Sequence, residues 1–172
     1  TVRAYLEHGL SSGPMPARLY YITPCYRYEN TQKGRQREFH QFGVELFGSS
    51  LPQADAEVIS LAHGLFGRLG VRGLRLEINS IGCPDCRAEY TRALTAYFRK
   101  FEDKLCGDCL SRLDRNPMRV LDCKKPGCAE AAKGAPKMLD YLCDDCRAHF
   151  ERVKEYLDAA GIEYTVNPTI VR

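Results

Sequence analysis

Between Tyr20 and Gly48 the chain reads Tyr-Tyr-Ile-Thr-Pro-Cys-Tyr-Arg-Tyr-Glu-Asn-Thr-Gln-Lys-Gly-Arg-Gln-Arg-Glu-Phe-His-Gln-Phe-Gly-Val-Glu-Leu-Phe-Gly. Aromatic and branched residues at both ends, with a polar centre on Lys33-Gly34-Arg35, predict two β-strands joined by a loop. Strand side chains alternate faces, so Arg27 and Glu29 share one face, with Tyr26 and Tyr28 on the other. On the returning strand Gln41, Gly43 and Glu45 share a face, and Phe42, Val44 and Leu46 take its reverse. An ordinary solvated hairpin would account for that alternation alone. It would not need Lys33, Arg35 and Arg37 beside Arg27, a cation density suited to a polyphosphate. Nor would it need Gly43, which weakens a strand unless something approaches the backbone there.

Taken as a string, Tyr-Arg-Tyr-Glu, Gln-Lys-Gly-Arg and Arg-Glu-Phe-His-Gln-Phe-Gly-Val-Glu resemble motif 2 of class II aminoacyl-tRNA synthetases in its histidyl-tRNA synthetase form. The resemblance implies an α+β fold, in which part of a class II antiparallel sheet with flanking helices carries a helical, cysteine-rich insertion domain. It implies ATP-dependent activation of histidine to histidyl-adenylate, followed by transfer to tRNA(His). By that match Arg27 and Arg172 are the catalytic cations at the α-phosphate. Glu29, Arg35 and Arg37 join Arg27 in binding ATP, with Mg²⁺ accompanying the nucleotide. Gln41 and Glu45 bind histidine, the carboxylate receiving an imidazole N–H.

The rest of the chain fits around this hairpin. Val2, Tyr5, Leu6 and Leu10 have helical spacing, ended by Gly13-Pro14. From Asp55, the residues Val58, Leu61, Ala62, Leu65 and Leu69 form a helical stripe that stops at Gly70. Leu74, Leu76 and Ile78 alternate with charges and predict a strand over 73–81. Residues 162–171 predict another, and the two are expected in one sheet. Between them the chain is helical, broken at Asn116-Pro117, Pro126-Gly127 and Gly134-Ala-Pro136. The expected division is a catalytic-core part at 1–81, an insertion at 82–161 and a returning strand at 162–172. Cys25 reads as a small buried apolar residue, His40 as a core or interface residue and His63 as a surface or packing residue.

Nine cysteines are unusual in 172 residues, and eight fall in close pairs: Cys83/Cys86, Cys106/Cys109, Cys123/Cys128 and Cys143/Cys146. Nothing marks secretion, so metal ligation is preferred over disulfides, and four pairs suffice for two closed Cys₄ zinc sites. Such Zn²⁺ would be structural. Which pair joins which stays open among three arrangements, and reduced thiols without metal are the plain alternative. The net charge of +3 counts each thiol as neutral, so it does not argue for nucleic-acid binding.

A hydrophobic content of 44% with 27% charged residues fits a globular protein, and no apolar run approaches a membrane span. A cytoplasmic enzyme, homodimeric when whole, is expected. The chain starts beyond the family's histidine loop and stops at the first residues of its Val-Arg-Gly-Leu-Asp-Tyr-Tyr signature, so it reads as an internal piece, inactive alone. Two other readings compete. One is a non-catalytic, synthetase-like regulatory subunit of ATP phosphoribosyltransferase, which the intact Arg27, Glu29, Gln41 and Glu45 disfavour. The other is a zinc-bearing nucleic-acid module using Arg112, Arg115, Arg119, Lys124 and Lys125.

Overall fold

The computed structural model describes residues 1–170 and divides into two compact units, Thr1–Ala62 and His63–Arg172. The first unit opens with helix α1 (Val2–Glu7) and a 3₁₀ turn at Leu10–Ser12. Strands β1 (Ala17–Tyr26) and β2 (Glu38–Phe47) follow, and then the start of helix α2 (Pro52–Arg68). β1 and β2 pair antiparallel from Ala17↔Phe47 to Tyr26↔Glu38. The amide of Arg27 donates to the carbonyl of Arg37 at 2.8 Å, carrying the ladder one step beyond the strands. At the tip Gln32 and Arg35 exchange backbone hydrogen bonds around Lys33 and Gly34. Gly34, at φ +78°, supplies the left-handed residue that such a tight turn requires in third place.

Little of this unit is buried. Tyr5, stacked on Phe47 with ring centroids 4.3 Å apart, and Ala56 are its two buried side chains. The apolar reverse of the hairpin is open, with Tyr20, Ile22 and Tyr26 each more than 70% exposed. On that reverse Arg18 forms a two-pronged ion pair with Glu57 of α2, its Nη2 donating to Oε2 at 2.8 Å. The pair raises the guanidinium pKa and lowers that of the carboxyl, chiefly through the hydrogen bond itself.

α2 ends where Gly70 takes φ +75° and Val71 donates back to the carbonyl of Phe66, a C-terminal cap of the expected kind. The second unit continues with β3 (Glu77–Ile78), α3 (Pro84–Arg99), α4 (Gly107–Arg112), α5 (Met118–Leu121), α6 (Pro126–Ala132), α7 (Asp144–Ala159) and β4 (Thr165–Val166). Its core is helical. Cys86, Tyr90, Leu94 and Phe98 recur every four residues on α3 and line up on one buried stripe. Against them pack Leu105, Cys109, Leu113, Val120, Cys128, Ala131, Met138 and Leu142. α4, α5 and α6 are six, four and seven residues long, too short to persist alone in water, so they depend on this packing.

β3 and β4 form one sheet as expected, but each is two residues long, and they run parallel, whereas the β1–β2 pair is antiparallel. A helical connection between two strands naturally returns the chain in the same direction. Outside the ladder, Asn79 Nδ2 donates to the carbonyl of Ile170 at 2.7 Å and Asn167 Nδ2 to Glu77 Oε2 at 2.7 Å. Side chains thus add two links between the segments beside the short ladder. Among the described residues, no helix is long and apolar enough to cross a membrane.

Candidate nucleotide-binding hairpin and cysteine centres

The β1–β2 register decides which hairpin residues meet. Directly opposed residues point to the same side. Leu19↔Glu45, Tyr21↔Gly43, Thr23↔Gln41 and Cys25↔Phe39 therefore build one face, and the Arg27–Arg37 level continues it. Three of the expected site residues of β2 and its approach, Arg37, Gln41 and Glu45, fall along that face in order. Arg27 is half-buried with its guanidinium over Phe39, the central carbon 3.9 Å from the ring centroid. Stacking holds the planar cation while leaving its edge N–H groups free to meet an anion.

Two expectations change in detail. What approaches the backbone at Gly43 is the chain's own Tyr21 ring: a Cβ there would stand 2.3 Å from it. The Tyr21 hydroxyl accepts a 3.1 Å hydrogen bond from Gln41 Nε2, so the glycine lets an aromatic ring pass close and reach the amide. Strand alternation also does not extend to Glu29. β1 ends at Tyr26, and Glu29 sits exposed in the irregular segment beyond it. Arg35 and Arg37 are exposed at the turn, and Arg172 lies outside the described residues.

Phe39 and Tyr21 were not singled out from the sequence. Odd numbering places Phe39 with Gln41 and Glu45, a signal that alternation alone could have exposed. Of the lone residues, Cys25 is half-buried and His40 is exposed, so neither is a core residue within the chain, while His63 is exposed on α2.

The cysteines resolve into two sets. Sulfurs of Cys83, Cys86, Cys143 and Cys146 lie within 4.8 Å of one another, as do those of Cys106, Cys109, Cys123 and Cys128. Of the three arrangements left open, the nested one is found. Its local basis is common to three pairs: Cys83, Cys106 and Cys143 are the N-caps of α3, α4 and α7, and Cys86, Cys109 and Cys146 follow three residues on. N-cap and N3 side chains meet at a helix start, which is why a C-x₂-C spacing converges two sulfurs. Backbone amides then reach across each set: Cys143 N–H donates to Cys86 Sγ at 3.1 Å, and Cys106 N–H to Cys128 Sγ at 3.2 Å.

The sulfurs differ electrically. The amide of Cys109 lowers the Cys106 thiol to about 7, and burial raises Cys109 and Cys128. Burial also raises Cys146 to about 12. Four such groups can ionise together only if a cation is placed among them. The donor set fits a tetrahedral, thiolate-preferring metal.

Comparison with known proteins identifies the family of the chain. A family model described as histidyl-tRNA synthetase matches residues 2–101. A histidine–tRNA ligase of Caldicellulosiruptor bescii is 59% identical over all of this chain and 41% of that protein. One of Desulforudis audaxviator is 54% identical over 99% of the chain and 40% of its own length. The crystal structure of apo histidyl-tRNA synthetase from S. aureus superposes with a TM-score of 0.77 at 38% identity, over 99% of this chain and 39% of that one. The chain thus spans about two fifths of the relatives it matches, and within that span it belongs to the histidyl-tRNA synthetase family.

Proposed function

We propose that this chain supplies the nucleotide- and histidine-binding hairpin of a histidine–tRNA ligase. The observation that supports it is the order of groups along one hairpin face, with Arg27 and Arg37 at the loop end, Gln41 in the middle and Glu45 beyond Gly43. Activation joins two anions, the histidine carboxylate and the α-phosphate of ATP. A fixed cation between them lowers the barrier by shielding their repulsion and stabilising charge that develops on the phosphorus oxygens. Arg27, stacked over Phe39, takes that position. Arg35 and Arg37 hold the outer phosphates, Glu29 faces the adenine amino group, and Mg²⁺ neutralises phosphate charge when bound.

Gln41, itself bonded to Tyr21, orients the amino and carboxylate groups of histidine, and Glu45 accepts the imidazole N–H. Competitors without that N–H would leave the carboxylate unpaired. In the same reading tRNA(His) is the acceptor, and the working form is a cytoplasmic homodimer. Residues 82–161 are an insertion domain carrying structural Zn²⁺ on its cysteines.

The test is a contrast between two variants of the whole enzyme in histidine-dependent pyrophosphate exchange. Arg27→Lys keeps charge but loses the planar fork, and should lower the rate roughly 10²–10³-fold. Glu45→Gln should raise the histidine KM about ten- to a hundredfold and leave the ATP KM nearly unchanged. A Glu45→Gln enzyme altered for ATP and normal for histidine would overturn the assignment.

A further inference from the structure

We propose that the eight paired cysteines form two separate mononuclear zinc sites with unequal roles. An inner site, Cys106, Cys109, Cys123 and Cys128, is a permanent part of the core. An outer site, Cys83, Cys86, Cys143 and Cys146, clasps α3 to α7 and exchanges its metal first. This rests on the reading that the cysteines hold zinc, and adds the pairing, the number of ions and their order of release.

One ion per set follows from size. Four thiolates at zinc bond lengths of ~2.3 Å stand about 3.8 Å apart, the edge of the tetrahedron. Both sets lie within 4.8 Å throughout, and Cys83 and Cys86 sulfurs are 3.4 Å apart. An iron–sulfur cluster interposes further atoms and spreads its thiolates beyond such a span. The amide donors across each set suit thiolate better than thiol, because an anionic sulfur is the stronger acceptor.

The difference in role follows from burial and topology. Cys109 and Cys128 are fully buried in the helical core, at 0% exposure. The inner set gathers α4, α6 and the turn after α5, elements too short to stand without it. Beside it Gly127 is packed so closely that an added Cβ would lie 2.4 Å from the Lys104 carbonyl oxygen. Losing the inner ion means unpacking that core.

The outer set is built differently. Cys86 belongs to the core of residues 86–142, whereas Cys143 is exposed at the start of α7. The buried residues of α7, namely Phe150, Val153 and Leu157, stand outside that core cluster. The outer ion is thus a joint between two packed groups, reachable by a chelator from the Cys143 side. A cavity lined by Asp85, Glu89, Arg92, Tyr141 and Cys143 opens beside it.

The experiment uses the whole protein, purified without chelator. Native mass spectrometry should find two Zn²⁺ per chain. A protein holding no metal would overturn the zinc reading itself, and a single ion would overturn the two-site proposal. The variant with Cys83, Cys86, Cys143 and Cys146 all changed to Ser should keep one ion. Under either other pairing those four cysteines belong to two sites, so losing both ions with the fold intact would overturn the nested pairing alone.

Pulsed alkylation of the unmodified protein in chelator needs no variant. Cys83, Cys86, Cys143 and Cys146 should become reactive as a group of four, roughly tenfold faster than the inner four. Labelling in any other grouping, or inner before outer, would overturn the proposal.

Discussion

The hairpin and the helical region solve the problem of stability in opposite ways. In the helical region Leu94, Phe98 and Val120 are completely buried, and the cysteine sets lie in or beside that core. In the hairpin large apolar side chains stand in solvent, and one ion pair to α2 anchors its reverse face. A two-stranded ribbon is marginal in water. One region completes its own interior, whereas the other is a surface that carries groups outward. The proposed chemistry falls on the less buried of the two, where cations and carboxylates are exposed to a ligand.

The most drastic way to break the contrast is metal removal. Chelation should abolish amide protection across residues 86–142 and leave the β1–β2 ladder protected, read by hydrogen exchange; structural zinc in small domains contributes about 10–16 kcal/mol. No loss in either region would show that the helical core does not depend on metal, and equal loss in both would erase the contrast with the hairpin. Next comes Gly127→Ala, whose Cβ would meet a backbone oxygen that cannot swing aside. It should cost about 1–3 kcal/mol in denaturant unfolding.

The corresponding change in the hairpin, Gly43→Ala, meets only the far end of the Tyr21 side chain. Stability should fall by less than about 1 kcal/mol, while displacement of Tyr21 from Gln41 raises the histidine KM several-fold. A large stability loss with normal kinetics would make that glycine structural. An effect on stability alone is expected of Tyr90→Phe, which loses the hydrogen bond to the Pro136 carbonyl at 3.1 Å and should cost about 1 kcal/mol. Burial raises Tyr90 to about 12 in the folded chain, with Tyr141 adding to it, so the folded state binds more protons between about pH 10 and 12. Stability should therefore fall through that window in the parent protein, and less steeply in the variant.

Local signals made much of this legible. Alternation and the Lys33-Gly34-Arg35 turn located the hairpin, and Gly70 marked the end of α2, because both depend on neighbours in sequence. Paired spacing exposed the eight cysteines for the same reason. Long-range geometry was not legible. Cys86 meeting Cys143, or Cys106 meeting Cys128, depends on how α3, α4, α6 and α7 fold back, which spacing does not encode. Phe39 beneath Arg27 and Tyr21 over Gly43 depend on register. The segments 73–81 and 162–171 have strand-like patterns, yet among the described residues they pair over two residues each, and the Ile170 carbonyl is met by the Asn79 side chain and not by a ladder amide.

The pairing of β3 with β4 has a consequence for the order of assembly. Two ladder residues on each side must close a loop that contains every helix from α3 to α7, and they offer few hydrogen bonds against that loss of chain freedom. The contacts inside the loop are comparatively local and form sooner. The helical region is therefore the tool that brings Ile78 and Val166 together, and in pulse-labelled refolding the Asn167 amide, bonded to Ile78, should gain protection after the amides of α3. A chain caught midway would hold a finished helical body between two unjoined ends, the β3 and β4 segments still waiting for each other.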